Sequence, residues 1–183
     1  REPWCGVVRL AAFLLLFCTA FSYARPDMTP LGPNIADKGS AFYRFTVNTF
    51  DSADGQRHYK VWTATPNKKP PLTGYPVLYL LDGNAVMDRL SEPLLQKLAE
   101  RDPPVLVVVG YQTPLPFDLT ARTYDYTPAP ADNAQHFRGR SGGGSAIFRQ
   151  LLETTIAPQA EKGIAVNPQK RALWGHSYGG LFV

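Results

Sequence analysis

Gly175-His176-Ser177-Tyr178-Gly179-Gly180 is the segment whose residue types and spacing could do chemistry. A serine hydroxyl becomes a useful nucleophile only when a base takes its proton and its oxygen stands clear of the backbone. Arg171-Ala172-Leu173-Trp174 before it reads as a strand, and Gly179-Gly180-Leu181-Phe182-Val183 after it as the start of a helix. A sharp strand-to-helix turn through G-x-S-x-G lifts its serine out of the fold in a strained conformation. Glycines flank it because side chains there would collide with strand or helix. The alternative is a glycine-rich turn in which Ser177 only caps the helix. The preceding strand and the second glycine favour the nucleophile.

Such a nucleophile needs a base and an oxyanion hole. In a turn of this kind the partners follow in the order serine, acid, histidine. The three histidines are His58 and His136, both upstream, and His176 inside the turn itself. His176 points away from Ser177 in an elbow and is read as a packing residue, while His58 and His136 are read as surface residues. The catalytic histidine and acid are therefore expected outside this chain, which is read as the front part of a longer domain. The oxyanion of a tetrahedral intermediate needs two aimed donors. One is the N–H of Tyr178, directly after the nucleophile. The other is expected in the loop after the first long central strand, at Gly83-Asn84, although Asp82-Gly83-Asn84 equally suits a plain strand-to-helix turn.

The elements that must carry these groups follow from periodicity. Phe42–Phe50 and His58–Thr63 read as two strands of an antiparallel hairpin around Asp51-Ser52-Ala53-Asp54-Gly55. Pro76–Leu81 and Pro104–Val109 are continuous apolar runs, the pattern of strands covered on both faces. Between them a helix is expected from an Asn84 cap to about Glu100, with Pro93 able to break it. From Gly110 to Ser141 no periodicity shows, and a stretch of that length usually carries function. Gly142-Gly143-Gly144 then opens a helix through Glu161 that Pro158 kinks or restarts. The order strand, helix, strand, helix, strand implies right-handed crossovers and an open α/β sheet. Within the long stretch, Arg122 either pairs with Asp125 to brace the loop or reaches an anionic substrate bidentately. Arg138 and Arg140 are further candidates for the second role.

The chain resembles the esterase branch of the α/β-hydrolases, which includes siderophore, formylglutathione and feruloyl esterases and mycolyltransferases. The resemblance rests on Leu80-Leu81-Asp82-Gly83-Asn84, Arg122-Thr123-Tyr124-Asp125-Tyr126-Thr127-Pro128, Gly142-Gly143-Gly144 with Phe148, and the elbow, in that order. It runs from about residue 40 to the end and is strongest to secreted siderophore esterases of the enterobactin type. It implies an α/β-hydrolase fold (a mostly parallel sheet with helices on both faces) that stops after the nucleophile elbow. It also implies an acyl-enzyme on Ser177 and an oxyanion hole from the N–H groups of Tyr178 and Asn84. The expected substrate is a catecholate siderophore ester, free or ferric. Aryl, feruloyl or thioester hydrolysis, acyl transfer, or a non-catalytic remnant are the alternatives.

Composition narrows the setting. The 183 residues, 44% hydrophobic and 19% charged, suit one globular domain, and the net charge of +4 comes without a basic block of the nucleic-acid kind. Arg1 and Arg9 precede an uncharged run, Leu10–Phe21, and Ser22-Tyr23-Ala24 offers small residues where a signal peptidase reads. Residues 1–24 are thus expected to be a secretory signal peptide, cleaved or kept as an anchor, and the protein periplasmic or secreted. Residues 25–40 are expected to be an extended lead-in and 41–183 the hydrolase part. Both cysteines, Cys5 and Cys18, fall in the signal segment, so the mature chain has no thiolate or disulfide. With no metal-ligand spacing, phosphate loop or dinucleotide fingerprint, no metal or cofactor is expected. The protein is expected to act as a monomer.

Overall fold

Five strands form the central sheet of the computed structural model, which describes residues 27–129, 136–137 and 139–183. The expected signal peptide, residues 1–24, and Arg138 lie outside the described residues. Strand β1 (Tyr43–Asp51) pairs antiparallel with β2 (His58–Pro66), and β2 pairs antiparallel with β4 (Val105–Tyr111). Strand β3 (Tyr75–Leu80) then runs parallel to β4 on one side and to β7 (Val166–Trp174) on the other. The spatial order is β1-β2-β4-β3-β7. A separate two-residue ribbon pairs β5 (His136–Phe137) with β6 (Arg140–Ser141).

The two apolar runs are fully buried strands, as their lack of alternation requires. Their side chains feed two cores, one on each face of the sheet. On one face Val77, Tyr79, Val105, Val107 and Val109 meet Tyr126, Phe148, Leu152 and Ile156 from the later helices. On the other Leu78, Leu80, Leu106 and Val108 meet Val86, Met87, Leu90 and Leu95 from the earlier ones. The parallel pair β3–β7 is irregular near its start: Tyr75 faces Val166, but Val77 faces Arg171. Gly74, at φ 90°, lets this entry close up, since a Cβ there would lie 2.5 Å from the Val166 carbonyl carbon.

The helices differ from expectation in instructive ways. The lead-in is not wholly extended, because Asn34 and Asp37 form a reciprocal capping box that starts the short helix α1 (Ile35–Lys38). The expected helix 84–100 is two, α2 (Gly83–Arg89) and α3 (Glu92–Ala99). The break falls at Leu90-Ser91 rather than Pro93. Ser91 accepts from the Leu94 N–H and restarts the helix, and Pro93 sits in its first turn, where no donor is needed. The stretch 110–141 is not without structure: α4 (Leu119–Tyr126) is capped by Asp118, whose carboxylate accepts from Ala121 N–H. The helix after the triple glycine runs as α5 (Ser145–Leu151), a π-helical turn (Leu152–Ile156) and α6 (Ala157–Ala160). Widening just upstream of Pro158 relieves the clash between its ring and the preceding turn, so the helix neither stops nor restarts there.

Candidate active site

The chain crosses from β3 to β4 on one side and returns past β3 to β7 on the other, so β3 and β7 flank a topological switch point. In open α/β sheets, ligands gather outside the carboxyl ends of strands at such a reversal. Both segments singled out from sequence lie there. Helix α7 (Tyr178–Phe182) follows β7 through Gly175-His176-Ser177, and α2 follows β3 through Leu81-Asp82. Leu81 N–H donates to Trp174 O at 3.0 Å and holds the two strand ends side by side.

Ser177 has φ 57° and ψ −117°, a conformation an L residue holds only under constraint, and its side chain is exposed. The turn is drawn tight by Gly179 N–H donating to His176 O and Leu181 N–H to Ser177 O, both at 3.0 Å. A Cβ on Gly175 would lie 2.3 Å from the Gly179 carbonyl carbon and oxygen, so only glycine lets strand and helix meet this closely. The helix begins at Tyr178, directly after Ser177. His176 is half-buried in the turn.

The β3 turn repeats this construction. Asp82 is left-handed at φ 52°, and the first bond within α2 runs from Val86 N–H to Asp82 O at 3.1 Å. The amides of Gly83 and Asn84 precede that bond and have no acceptor within the helix. Asn84 is not the cap: it lies inside α2, and Asp82 takes the cap position without a side-chain cap bond. The Asn84 side chain is spent elsewhere. Its Nδ2 donates to Tyr111 O and Thr113 O, and its Oδ1 accepts from Tyr111 N–H at 2.8 Å, which pins the end of β4. A Cβ on Gly83 would meet Gly110 N and Val109 C at 2.7 Å, so the turn rests directly on β4.

Arg122 does not pair with Asp125. Its Nε and Nη2 both donate to the Asp82 carboxylate at 2.8 Å, and Nη2 also reaches His176 O at 3.3 Å. The two side chains share the inward side of α4 but find different partners: Asp125 meets Tyr59 of β2 and Tyr111 of β4, while Arg122 meets the two turns. The guanidinium lies 5.4 Å from the Tyr126 ring and 5.6 Å from the Tyr178 ring, and Arg122 as a whole is 8% exposed. Burial works against its charge, and the Asp82 carboxylate more than offsets that, so its pKa is raised. Tyr126 completes the corner by accepting from Asp82 N–H at 3.1 Å.

Asp125 anchors α4 beneath the turns. Its Oδ2 accepts from the hydroxyls of Tyr59 and Tyr111, each at 2.8 Å, and its Oδ1 lies 3.1 Å from Arg57 Nε without a well-aligned hydrogen bond. Burial pushes this carboxyl up to about 6, against the pull of the two tyrosines and Arg57. His58 is exposed at the start of β2 and bonded to Asp51 through Nδ1. Three strand spacings, about 14 Å, separate β2 from β7, so His58 is remote from Ser177. The ribbon places His136 opposite Ser141, with Arg140 half-buried. Asp82, Arg57 and Tyr126 were missed as site-supporting residues. Only the left-handed turn after β3, unrecognisable in Leu81-Asp82-Gly83 alone, could have flagged Asp82.

Comparison with known proteins gives the same family. The chain is 62% identical over 174 residues to the apo-salmochelin esterase of Escherichia coli O6:H1, covering 93% of this chain and 55% of that protein. It is 34% identical over 148 residues to the ferri-bacillibactin esterase BesA of Bacillus subtilis, covering 75% of this chain and 50% of that one. The chain thus spans about half the length of these relatives. Among solved structures, the enterobactin and salmochelin hydrolase IroE superposes with a TM-score of 0.75 at 63% identity, over 82% of this chain and 59% of that one. The IroE-type esterases have the α/β-hydrolase fold, and the mixed sheet with helices seen here is of that fold. A family profile described as "Putative esterase" matches residues 52–183, the span that holds both turns and the Asp82–Arg122 pair between them. The chain belongs to that esterase family.

Proposed function

We propose that the full-length protein is a serine esterase that hydrolyses a siderophore ester through an acyl-enzyme on Ser177. The observation that carries this is Ser177 held left-handed at the switch point, beside a second turn whose leading amides the helix leaves unused. In this reading Ser177 Oγ bonds to the ester carbonyl carbon while a base takes its proton. The carbonyl oxygen gathers negative charge between the N–H groups of Tyr178 and Asn84, with Gly83 shaping the turn. The leaving alcohol departs with that proton, and water then cleaves the acyl-enzyme. The base is a histidine supplied with its acid by the rest of the full-length protein. The identified relatives act on siderophores, and this chain's positive charge suits an anionic catecholate ester, free or ferric.

The protein is also proposed to be periplasmic or secreted, directed by residues 1–24, and to work as a monomer without a cofactor. No helix among the described residues is long and apolar enough to cross a membrane. The test is chromatographic: the full-length protein should open and linearise a catecholate triester. Ser177→Ala should lower turnover by roughly a thousandfold or more, with the fold intact. Retained turnover in that variant, or good aryl-ester cleavage without any triester cleavage, would remove the mechanism or the substrate respectively.

A further inference from the structure

We propose that the Asp82–Arg122 pair is a positioning clamp that sets the separation of the two turns carrying the Asn84 and Tyr178 amides, and so the aperture of the oxyanion hole; this rests on the serine esterase reading above. One guanidinium nitrogen, Arg122 Nη2, touches both turns, at 2.8 Å to the Asp82 carboxylate and 3.3 Å to the His176 carbonyl. Asp82 stands two residues before Asn84, and His176 two before Tyr178. The clamp therefore grips each turn at the same offset from its donor.

Something must do this, because strand pairing ends too early. Among the described residues, the last backbone bond between the two strand ends is Leu81 N–H to Trp174 O. Beyond it both chains enter left-handed residues, Asp82 and Ser177, which have no ladder to fix them relative to each other. A Cβ added at Gly179 would come within ordinary contact of Asp82 Oδ2, at 3.8 Å, so the start of α7 lies close beside the Asp82 side chain. Arginine suits the task because its planar fork takes the carboxylate with two nitrogens and has a hydrogen left for a third acceptor. Lysine offers one nitrogen and no fork. A buried ion pair is a poor source of stability compared with apolar packing, which is consistent with a geometric use here. The same engagement turns Arg122 away from the role of gripping an anionic substrate.

The test uses the full-length protein and three probes: p-nitrophenyl butyrate, an anionic catecholate ester, and an alkyl trifluoromethyl ketone, which forms a tetrahedral oxyanion on a serine. Arg122→Lys and Asp82→Asn are each expected to lower kcat roughly 10- to 100-fold on both esters, with KM within twofold, since small misplacements in such sites are costly. Affinity for the ketone should fall by the same factor as kcat. The lysine variant, which keeps the charge, should lose less than an Arg122→Gln variant. A folded lysine variant with unchanged kcat would overturn the clamp, as would a loss confined to KM for the anionic ester. A lysine variant that cannot fold would assign the pair to stability and overturn it too. Wild-type turnover and Ser177→Ala separate the two ideas: turnover that survives Ser177→Ala removes the esterase reading and the clamp with it. Turnover lost in Ser177→Ala but kept in the lysine variant removes the clamp alone.

Discussion

Replacing Asp125 by asparagine should change how stability depends on pH more than it changes stability at any one pH. The Asp125 carboxyl is 1% exposed, and burial raises its pKa from an ordinary 3.8 to about 6, with Asp118 adding to the rise and Tyr59, Tyr111 and Arg57 opposing it. The folded state thus binds a proton more tightly than the unfolded one. Below pH 4 both states hold that proton. Between about 4 and 6 the unfolded chain releases it first, so stability falls as pH rises, and above 6 the loss is complete. The gap of roughly two units corresponds to about 3 kcal/mol. Asp54 and Asp27, held below the usual carboxylate range first of all by the Ser52 and Thr29 hydroxyls, bend the profile the other way. The informative quantity is therefore the difference between wild type and Asp125→Asn, from urea denaturation of the full-length protein at pH 4 to 7. Wild type should lose about 3 kcal/mol relative to the variant across that range. The lost ion pair with Arg57 shifts the variant's whole curve without giving it this slope. A difference that stays flat, or that grows in favour of wild type as pH rises, would refute the reasoning.

Two further substitutions probe the turns. Ser177→Gly should be inactive yet more stable by about 1 kcal/mol, since a left-handed residue other than glycine stores strain of that order; a lower thermal midpoint would argue against stored strain at Ser177. Gly83→Ala drives a Cβ to 2.7 Å from buried backbone of β4. It should cost about 3 kcal/mol in denaturant titrations, as overpacking typically does, and an unchanged midpoint would mean that β4 can yield.

What was legible in the chain was whatever depends on local pattern. The two unbroken apolar runs announced the buried strands β3 and β4, and Gly175-x-Ser177-x-Gly179 announced a turn that only glycine can make. Helix α4 was harder to see, because its inward face is built from Arg122, Asp125 and Tyr126 rather than from aliphatic residues, so it has no apolar periodicity. Its start signal was nevertheless present in Asp118. The Arg122 partner was misread for a related reason. Asp125 lies three residues away on the same helix, and sequence offers nearness along the chain as the only guide to pairing. Asp82 lies forty residues earlier and becomes a neighbour only when β3 and β7 pair around the switch point. The π-helical turn before Pro158 likewise reflects how the ring is accommodated, which several helical geometries could have achieved.

The irregular start of the β3–β7 pair bears on how reliably the chain can place its serine. Parallel strands match in steps of one residue, about 3.3 Å, and each single-step error also turns every side chain to the opposite face. A smooth β7 could settle one notch away with much of its bonding intact. Here the offset between Tyr75–Val166 and Val77–Arg171 works as a key cut for one lock. Gly74 gives Val166 a seat that no side chain would leave open, and Asn167, whose Oδ1 accepts from Gln169 N–H, shapes the extra length around Pro168. The offset therefore favours a single seating for the strand that leads to Ser177. Loosening the fit at Val166–Lys170 would let β7 end in more than one register and leave Ser177 displaced from the Asp82 turn in part of the population.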